Sequence, residues 1–203
     1  MMVRRWIFTL FLYATLGVGA HAATNPDDLV KQTSERMLAA LRISPNSVNA
    51  DSRRVTTLVK EIVLPHFDFE KMSQLVLGRH WRRASNLQRT HFEDEFRTLL
   101  IRIYASALAQ YRHQTIRYFP SSGDPAGGDV MVRTEVVRTS GPPIPIDYSL
   151  RLENGEWKVY DVTVGGVSLV INYRSSFARL IQQGGIDGLI GKLHSRNQKN
   201  PGG

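Results

Sequence analysis

The sequence contains no cysteine in its 203 residues, which excludes disulfide bonds and thiolate metal sites. None of the six histidines belongs to a His-x-His or His-x-x-x-His pair, so the spacing does not indicate a zinc site. The sequence has neither a Gly-x-Ser-x-Gly nucleophile motif nor a glycine-rich phosphate loop. Beyond residue 22 no apolar run is long enough to span a membrane. These absences favour a binding protein without metal or cofactor over an enzyme.

The first 22 residues have the features of a secretory signal peptide. Arg4 and Arg5 supply the positive charge, residues 6–19 are apolar, and Ala20-His21-Ala22 is a small-x-small cleavage site. A transmembrane anchor is the alternative, but the apolar run is short for a bilayer and a cleavage motif follows it. We expect cleavage before Ala23 and a soluble, extracytoplasmic mature chain, exported by either the Sec or the twin-arginine route.

Basic residues outnumber acidic residues by 26 to 18, a formal charge of +8. Without Arg4 and Arg5 the balance is 24 − 18 = +6, which favours anionic partners. An exported protein does not meet nucleic acid, so acidic lipid surfaces or acidic protein faces remain. The densest basic segment surrounds Trp81, which could simply anchor a solvated loop to the core. The alternative is that Arg79, Arg82 and Arg83 contact lipid headgroups or an acidic partner.

The first half of the chain has the periodicity of helices. Asn25-Pro26-Asp27-Asp28 is typical of a helix start, and a second helix is predicted at about residues 48–63. Asp68 is a predicted cap for a short third helix. Ser85 and Gln88 form a capping box that begins the longest helix, predicted at residues 85–113. Its apolar stripe is broad and aromatic, wide enough to cover both a sheet and a cavity.

From residue 115 the periodicity changes to two, which is typical of strands. Strands are predicted at residues 115–119, 130–138, 147–153 and from 157, with residues 121–128 as a turn-rich loop. Asn154-Gly155 predicts a hairpin, and a change of phase near Asp161 predicts a bulge. After Gly165-Gly166 a further helix is predicted, with a kink at Gly184-Gly185. The pattern predicts an α+β fold, with an antiparallel meander of about four strands packed against helices.

An apolar cavity between the sheet and the helices is the binding site that this arrangement would offer. The long helix, the sheet and the segment after the diglycine contain more large apolar residues than one packing surface needs. Ordinary core packing is the competing interpretation for each residue, and we expect it to hold for about half of them. The predicted lining residues are Phe96, Leu100, Tyr104, Leu108, Tyr148, Leu150, Val159, Val162, Val164, Leu169, Tyr173, Phe177 and Ile181.

Three blocks of the sequence resemble the MlaC family, the periplasmic phospholipid carriers of Gram-negative bacteria that are also called toluene-tolerance proteins. The first block contains Trp-Lys-Val-Tyr-Asp-Val, Gly-Val-Ser-Leu-Val and Asn-Tyr-Arg-Ser-Ser-Phe, within residues 157–177. The others are Leu-Gly-Arg-His-Trp-Arg-Arg-Ala-Ser at 77–85 and Gly-Ile-Asp-Gly-Leu-Ile at 185–190. Together they imply a resemblance over residues 25–197. Many relatives have glutamate where this chain has Gly165, so no role is carried over for a charge there.

The resemblance implies a periplasmic protein with a single lipid-binding domain at residues 23–197. The polar, Gly/Pro-ended composition of the C-terminus predicts a disordered tail at 198–203. The implied fold is cone-like, of the NTF2-like kind, with an N-terminal helical part. Such proteins shuttle phospholipid between an inner-membrane ABC transporter complex and an outer-membrane lipoprotein–porin complex, and they help to maintain outer-membrane lipid asymmetry. Phospholipid would be the cargo, no cofactor is expected, and the protein is expected to be a monomer.

Two other functional classes remain open on the residues alone. A secreted enzyme with a cone-shaped α+β pocket would use Asp161 or a histidine as a base, and it predicts a polar, titratable pocket. A periplasmic interaction or chaperone module predicts an exposed apolar groove and no bound small molecule. The carrier predicts a dry cavity of a size suited to acyl chains.

Overall fold

The computed structural model describes residues 25–43, 48–110 and 113–199, so the predicted signal peptide and most of the predicted tail lie outside the described residues. None of the helices in these ranges is both long and apolar enough to cross a membrane. The α-helices are α1 (Pro26–Arg42), α2 (Val48–Leu58), α3 (Phe69–Leu77), α4 (Asn86–Gln110) and α5 (Leu169–Gln198). A π-helical turn, Val59–Val63, and a 3-10 turn, Leu64–His66, follow α2, and a second 3-10 helix, Gly78–Arg83, follows α3.

Polar side chains cap the helices where the sequence predicts helix starts. The Asn25 side chain accepts a hydrogen bond from the Asp27 amide at 2.9 Å, and Asp68 accepts one from the amide of Lys71 at 2.8 Å. At the start of α4, the Gln88 amide donates to the Ser85 hydroxyl and the Ser85 amide donates to the Gln88 side chain. These bonds satisfy amides that have no partner within the helix.

The sheet is antiparallel throughout and has six strands rather than about four. Its strands are β1 (Thr115–Tyr118), β2 (Ser122–Asp124), β3 (Asp129–Val137), β4 (Ile144–Glu153), β5 (Glu156–Val164) and β6 (Val167–Ser168). The spatial order is β1-β3-β4-β5-β6, and β2 pairs with β3. The two strands that the sequence did not predict are short: β2 lies in the expected loop and β6 follows the diglycine directly. Three and two residues are too few to produce a clear alternation.

The predicted hairpin and bulge are both confirmed in the β4–β5 pair. Asn154 and Gly155 have φ angles of 51° and 83°, which suit the tight two-residue turn that joins the strands. Ser149 pairs with Asp161, whereas Leu150 pairs with Val159, so the register shifts by one residue beside Asp161. The shift reconciles the two phases of the strand, because it lets Val159 and Val162 face the same side.

The helices pack on the sheet through two clusters of buried side chains. The main cluster joins α3, α4 and α5 to the middle of the sheet, and it includes Phe92, Leu150, Trp157 and Leu189. The predicted kink in α5 is present at Gly185, whose φ of 67° and ψ of −170° are not helical. The smaller cluster joins α1, α2 and the π-helical turn to the second half of α4. The helices of the N-terminal part therefore cover one end of the molecule.

Candidate functional site

A cavity of about 360 Å³ lies between the sheet and the helices, next to the smaller cluster. Seven residues of α1 form one wall, the second half of α4 forms another, and the sheet provides the floor. The segment between α2 and α3 and the first residue of α5 complete it. The apolar lining includes Leu29, Val30, Met37, Leu38, Leu41, Val59, Val63, Leu64, Phe67, Phe69, Met72, Ile101, Ala105, Ala107, Ile116, Val136 and Ile146.

Eight of the thirteen residues predicted from the sequence are brought together around this cavity. They are Leu100, Tyr104, Leu108, Tyr148, Val159, Val162, Val164 and Leu169. The other five, Phe96, Leu150, Tyr173, Phe177 and Ile181, lie in the main core cluster and outside the lining. Seven of the eight lining residues, all except Leu108, also belong to the main core cluster or pack against it. Contact with a lipid stays a prediction for each residue.

Aromatic packing between α4 and α5 explains why three of those five residues do not reach the cavity. The ring of Phe96 stacks on Phe92 with centroids 5.6 Å apart, and it meets the edge of Tyr173 at 5.3 Å. Phe177 lies 5.3 Å from Tyr173 and contacts both phenylalanines. The first half of α4 thus forms a solid core with α5. Its second half offers Leu100, Tyr104, Leu108 and two small alanines to the cavity.

The wall that the sequence analysis did not assign comes mainly from α1 and the π-helical turn. The one-sided apolar stripe of α1, with Leu29, Met37 and Leu41, was a visible signal. Such a stripe predicts burial but does not identify the surface that it faces. Val59 and Val63 belong to the π-helical turn, a distortion that occurs frequently at functional sites.

The lining contains no Asp, Glu, Lys or Arg among the residues that the structure describes. Burial raises the pKa of Tyr148 to about 12, while a hydrogen bond with the Thr134 side chain opposes the shift. The Thr134 hydroxyl itself donates to the carbonyl of Ile146 at 2.9 Å. Burial, followed by the positive charges of Lys158 and Arg36, lowers the pKa of the His66 imidazole. The cavity wall is therefore uncharged near neutral pH.

Behind the wall, the hydroxyls of Tyr104 and Tyr173 lie near each other. Burial is the main cause that raises the pKa of Tyr173 to about 12, and the neighbouring Tyr104 raises it further. Tyr104 lines the cavity and packs against the main core cluster, whereas Tyr173 is buried in that cluster and does not line the cavity.

Asp161 lies outside the cavity lining and fastens the end of the sheet to α5. Its carboxylate accepts hydrogen bonds from the amides of Val162 at 2.8 Å and Val170 at 3.1 Å, and from the Ser168 hydroxyl. A general base needs a carboxylate oxygen that is available to a substrate. Both oxygens of Asp161 are hydrogen-bonded, so its geometry fits a structural tie across the β5–β6 turn.

A second concavity, an open cleft of about 440 Å³, lies on the outer side of the same wall. It is lined by charged residues that pair with one another or with neighbours: Arg97 with Glu93 and Asp94, and Asp68 with Arg151. Leu64, Phe67 and Phe69 contribute to both the cleft and the cavity. Because these charges are paired in place, the apolar cavity is the better candidate for a binding site.

The predicted basic cluster forms part of the 3-10 helix that follows α3. Trp81 is buried and anchors it, since the Arg89 guanidinium lies 4.9 Å from the indole centroid and its Nε donates to the Trp81 carbonyl. The side chains of Arg79, Arg82 and Arg83 are exposed. None of the three arginines lines the cavity, so none is positioned to contact the part of a cargo that is buried there.

Two characterised proteins are similar in sequence to this chain over most of its length. The chain is 27% identical over 191 residues to the intermembrane phospholipid transport system binding protein MlaC of Haemophilus influenzae, covering 93% of this chain and 88% of the relative. It is 28% identical over 196 residues to the toluene tolerance protein ttg2D of Pseudomonas putida, covering 93% and 91%.

A similar solved structure is the phospholipid-binding protein from Ralstonia solanacearum in complex with a phospholipid. It matches with a TM-score of 0.79 and 34% identity, over 86% of this chain and 97% of that chain. The family model described as MlaC protein matches residues 31–195. Since that match spans most of the chain, the protein belongs to the MlaC family, as the resemblance predicted.

Proposed function

We propose that this protein is a phospholipid carrier that holds acyl chains in the cavity between its sheet and its helices. The observation that carries the proposal is the uncharged, apolar wall around about 360 Å³ of space. The relative from Ralstonia solanacearum, solved with a phospholipid, supports the same assignment. Eight lining residues that were chosen from the sequence alone belong to this wall.

The energetics explain why a lipid needs such a carrier. Moving two acyl chains of about 30 methylenes from an apolar environment into water costs about 25 kcal/mol, at about 0.8 kcal/mol per methylene. Relative to a bilayer, the cavity offers almost no gain, because both are dry and apolar. Transfer between membrane and carrier is then nearly balanced, so a partner can set the direction and the carrier needs no nucleotide site.

The size of the cavity limits what it holds in this conformation. If a methylene needs about the 30 Å³ that a water molecule occupies in the liquid, 360 Å³ accommodates about 12 methylenes, close to one acyl chain. A phospholipid with two chains therefore requires a wall to move outward. We assign that movement to α1, which packs on β3, α2 and the π-helical turn and belongs to the smaller cluster.

The cellular role we propose is shuttling of phospholipid through the periplasm, between an inner-membrane ABC transporter complex and an outer-membrane lipoprotein–porin complex. This role would help to maintain outer-membrane lipid asymmetry. The signal-peptide features of residues 1–22 and the printed name of the Haemophilus influenzae relative support it. We propose a monomer without cofactor and without catalytic activity, since a carrier needs no reactive group against its cargo.

Native mass spectrometry of the purified mature protein tests the proposal, together with organic extraction and lipid analysis. We expect phospholipid in near-stoichiometric amount. A clean mass of the unliganded protein that persists after incubation with liposomes would remove the carrier function. The enzyme with a base beside the cavity would then become the leading hypothesis, with His66 as the histidine that lines it.

A further inference from the structure

Three arginines lie in the 3-10 helix after α3, and an arginine of α5 reaches the first residue of that helix. The sequence places Arg79, Arg82 and Arg83 in one run, and the fold adds a fourth residue, Arg174 of α5. The guanidinium of Arg174 lies so close to Gly78 that a Cβ built on this glycine would be 3.1 Å from its Nε. All four arginine side chains are exposed.

No acidic partner neutralises this arginine cluster among the residues that the structure describes. The ion pairs in those ranges involve Arg97, Arg117, Arg151, Lys158 and His194 instead. The nearby imidazole of His80 responds to the unbalanced charge: burial lowers its pKa, and the charges of Arg79 and Arg83 lower it further. The surface therefore has a single sign of charge.

Exposed aliphatic side chains adjoin the arginine cluster on the α5 side. Ile171 precedes Arg174 by three positions, so both lie on one face of α5, and the Ile171 residue is 65% exposed. Val167 of β6 is 55% exposed. Its neighbours along the chain, Val164 and Leu169, line the cavity. The apolar edge of the cluster is thus continuous with the cavity wall.

We propose that this surface, consisting of the arginine cluster with Ile171 and Val167, docks on an anionic bilayer. Clusters of four or more basic residues beside apolar anchors are typical of binding to anionic lipid headgroups. The planar guanidinium binds phosphate through paired hydrogen bonds. An anionic bilayer presents phosphate groups across its whole surface, so it can pair with several exposed arginines and take up the adjoining aliphatic side chains at the same time.

The lipid would pass from this surface to the cavity at the turn between β5 and β6, where exposed Val167 pairs with the lining residue Val164. Gly165 and Gly166 have φ angles of 59° and 83°, and a Cβ built on either one would meet no atom within 4 Å. The turn therefore offers no side chain to block a route between the docked face and the wall at Val164 and Leu169. This last step rests on the proposed carrier function, whereas the docking itself does not.

Vesicle flotation tests the docking at low ionic strength. The vesicles contain either phosphatidylcholine alone or equal parts of phosphatidylcholine and phosphatidylglycerol. The triple variant R79Q/R82Q/R83Q removes three charges from the cluster, and K31Q/K60Q/R133Q removes three exposed charges elsewhere. Each basic residue near an anionic bilayer contributes about fivefold to the binding affinity. The first variant should therefore bind the anionic vesicles about 100-fold more weakly. The second variant should stay close to the wild type.

Further variants separate the apolar contribution and the carrier function from the charge effect. Ile171→Gln should weaken binding severalfold, whereas Ile43→Gln, at the exposed end of α1, should not. Val164→Glu, which is placed in the cavity, should still float with the vesicles even if it has lost its bound lipid. Loss of bound lipid with flotation intact thus affects the carrier function and not the docking.

Three outcomes would overturn the docking. Equal binding to vesicles with and without phosphatidylglycerol would show that the charge has no role. Equal weakening in the two triple variants would show that only net charge matters. If the wild-type protein does not float with the anionic vesicles, the arginine cluster does not bind bilayers, and an acidic protein surface becomes its expected partner.

Discussion

A glutamate at position 164 should empty the cavity without unfolding the protein. Val164 ends β5, lies half-buried in the cavity wall and was chosen from the sequence as a lining residue. In the lipid-free state, water can enter the cavity and solvate the carboxylate. In the lipid-bound state the same carboxylate faces methylene groups, so the substitution penalises the bound state selectively.

The size of the effect can be worked out from the two states. The carboxyl group can escape desolvation by taking up a proton, and at pH 7 this costs about 1.36 × (7 − 4.3), or about 3.7 kcal/mol. The longer side chain also displaces about two methylenes of the cargo, a loss of about 1.6 kcal/mol. The sum of about 5 kcal/mol weakens lipid binding by several thousandfold. Since the first part is a protonation cost, affinity should recover about tenfold for each pH unit below 7.

The measurement is the lipid-bound fraction by native mass spectrometry, with displacement of a fluorescent phospholipid at several pH values and circular dichroism as the check of folding. Val137→Glu is the matched control. It introduces the same change in β3, beside the lining residue Val136 but on the opposite face of the sheet. A folded Val164→Glu protein that retains lipid as the wild type does would refute the assignment of this wall. Loss of lipid without any pH dependence would refute the mechanism.

Three further predictions concern stability. Asp161→Ala should lower the free energy of unfolding in denaturant by about 2–4 kcal/mol, because two buried amides and one hydroxyl lose their acceptor; an unchanged midpoint would contradict the structural tie. Ser85→Ala should lower it by about 1 kcal/mol through loss of the cap of α4, and Ser85→Thr should restore most of that. Because Tyr148 has a folded pKa of about 12 against about 10 unfolded, the stability that its neutral form contributes is present below pH 10. It should be lost between pH 10 and 12, by about 2.7 kcal/mol, and Tyr148→Phe should remove this loss while leaving the similar one from Tyr173.

Helix α4 shows how far the sequence could predict the site. Its capping box, length and apolar stripe are visible in the sequence and are present in the structure. The stripe does not reveal that Phe96 meets another helix whereas Leu100 and Tyr104 meet empty space. That difference depends on the distance between α4 and α5 along their length, a tertiary property with no signature in periodicity.

The sheet shows the same boundary between local and tertiary information. The long strands, the Asn154-Gly155 turn and the bulge follow from alternation and turn chemistry. The short strands β2 and β6 exist because β3 and β5 offer them free edges to pair with, not because of their own residues. The part played by α1 in the cavity was likewise hidden, since an amphipathic helix can cover any apolar surface.

The cavity wall also has a consequence for the order in which the chain acquires its function. The wall joins α1, early in the sequence, to β5 and the first residue of α5, far along it. Contacts between such distant segments form late in folding, because the intervening chain must first be brought together. A partly synthesised chain therefore has no closed space for an acyl chain. The protein therefore becomes able to hold cargo only when the whole domain has assembled.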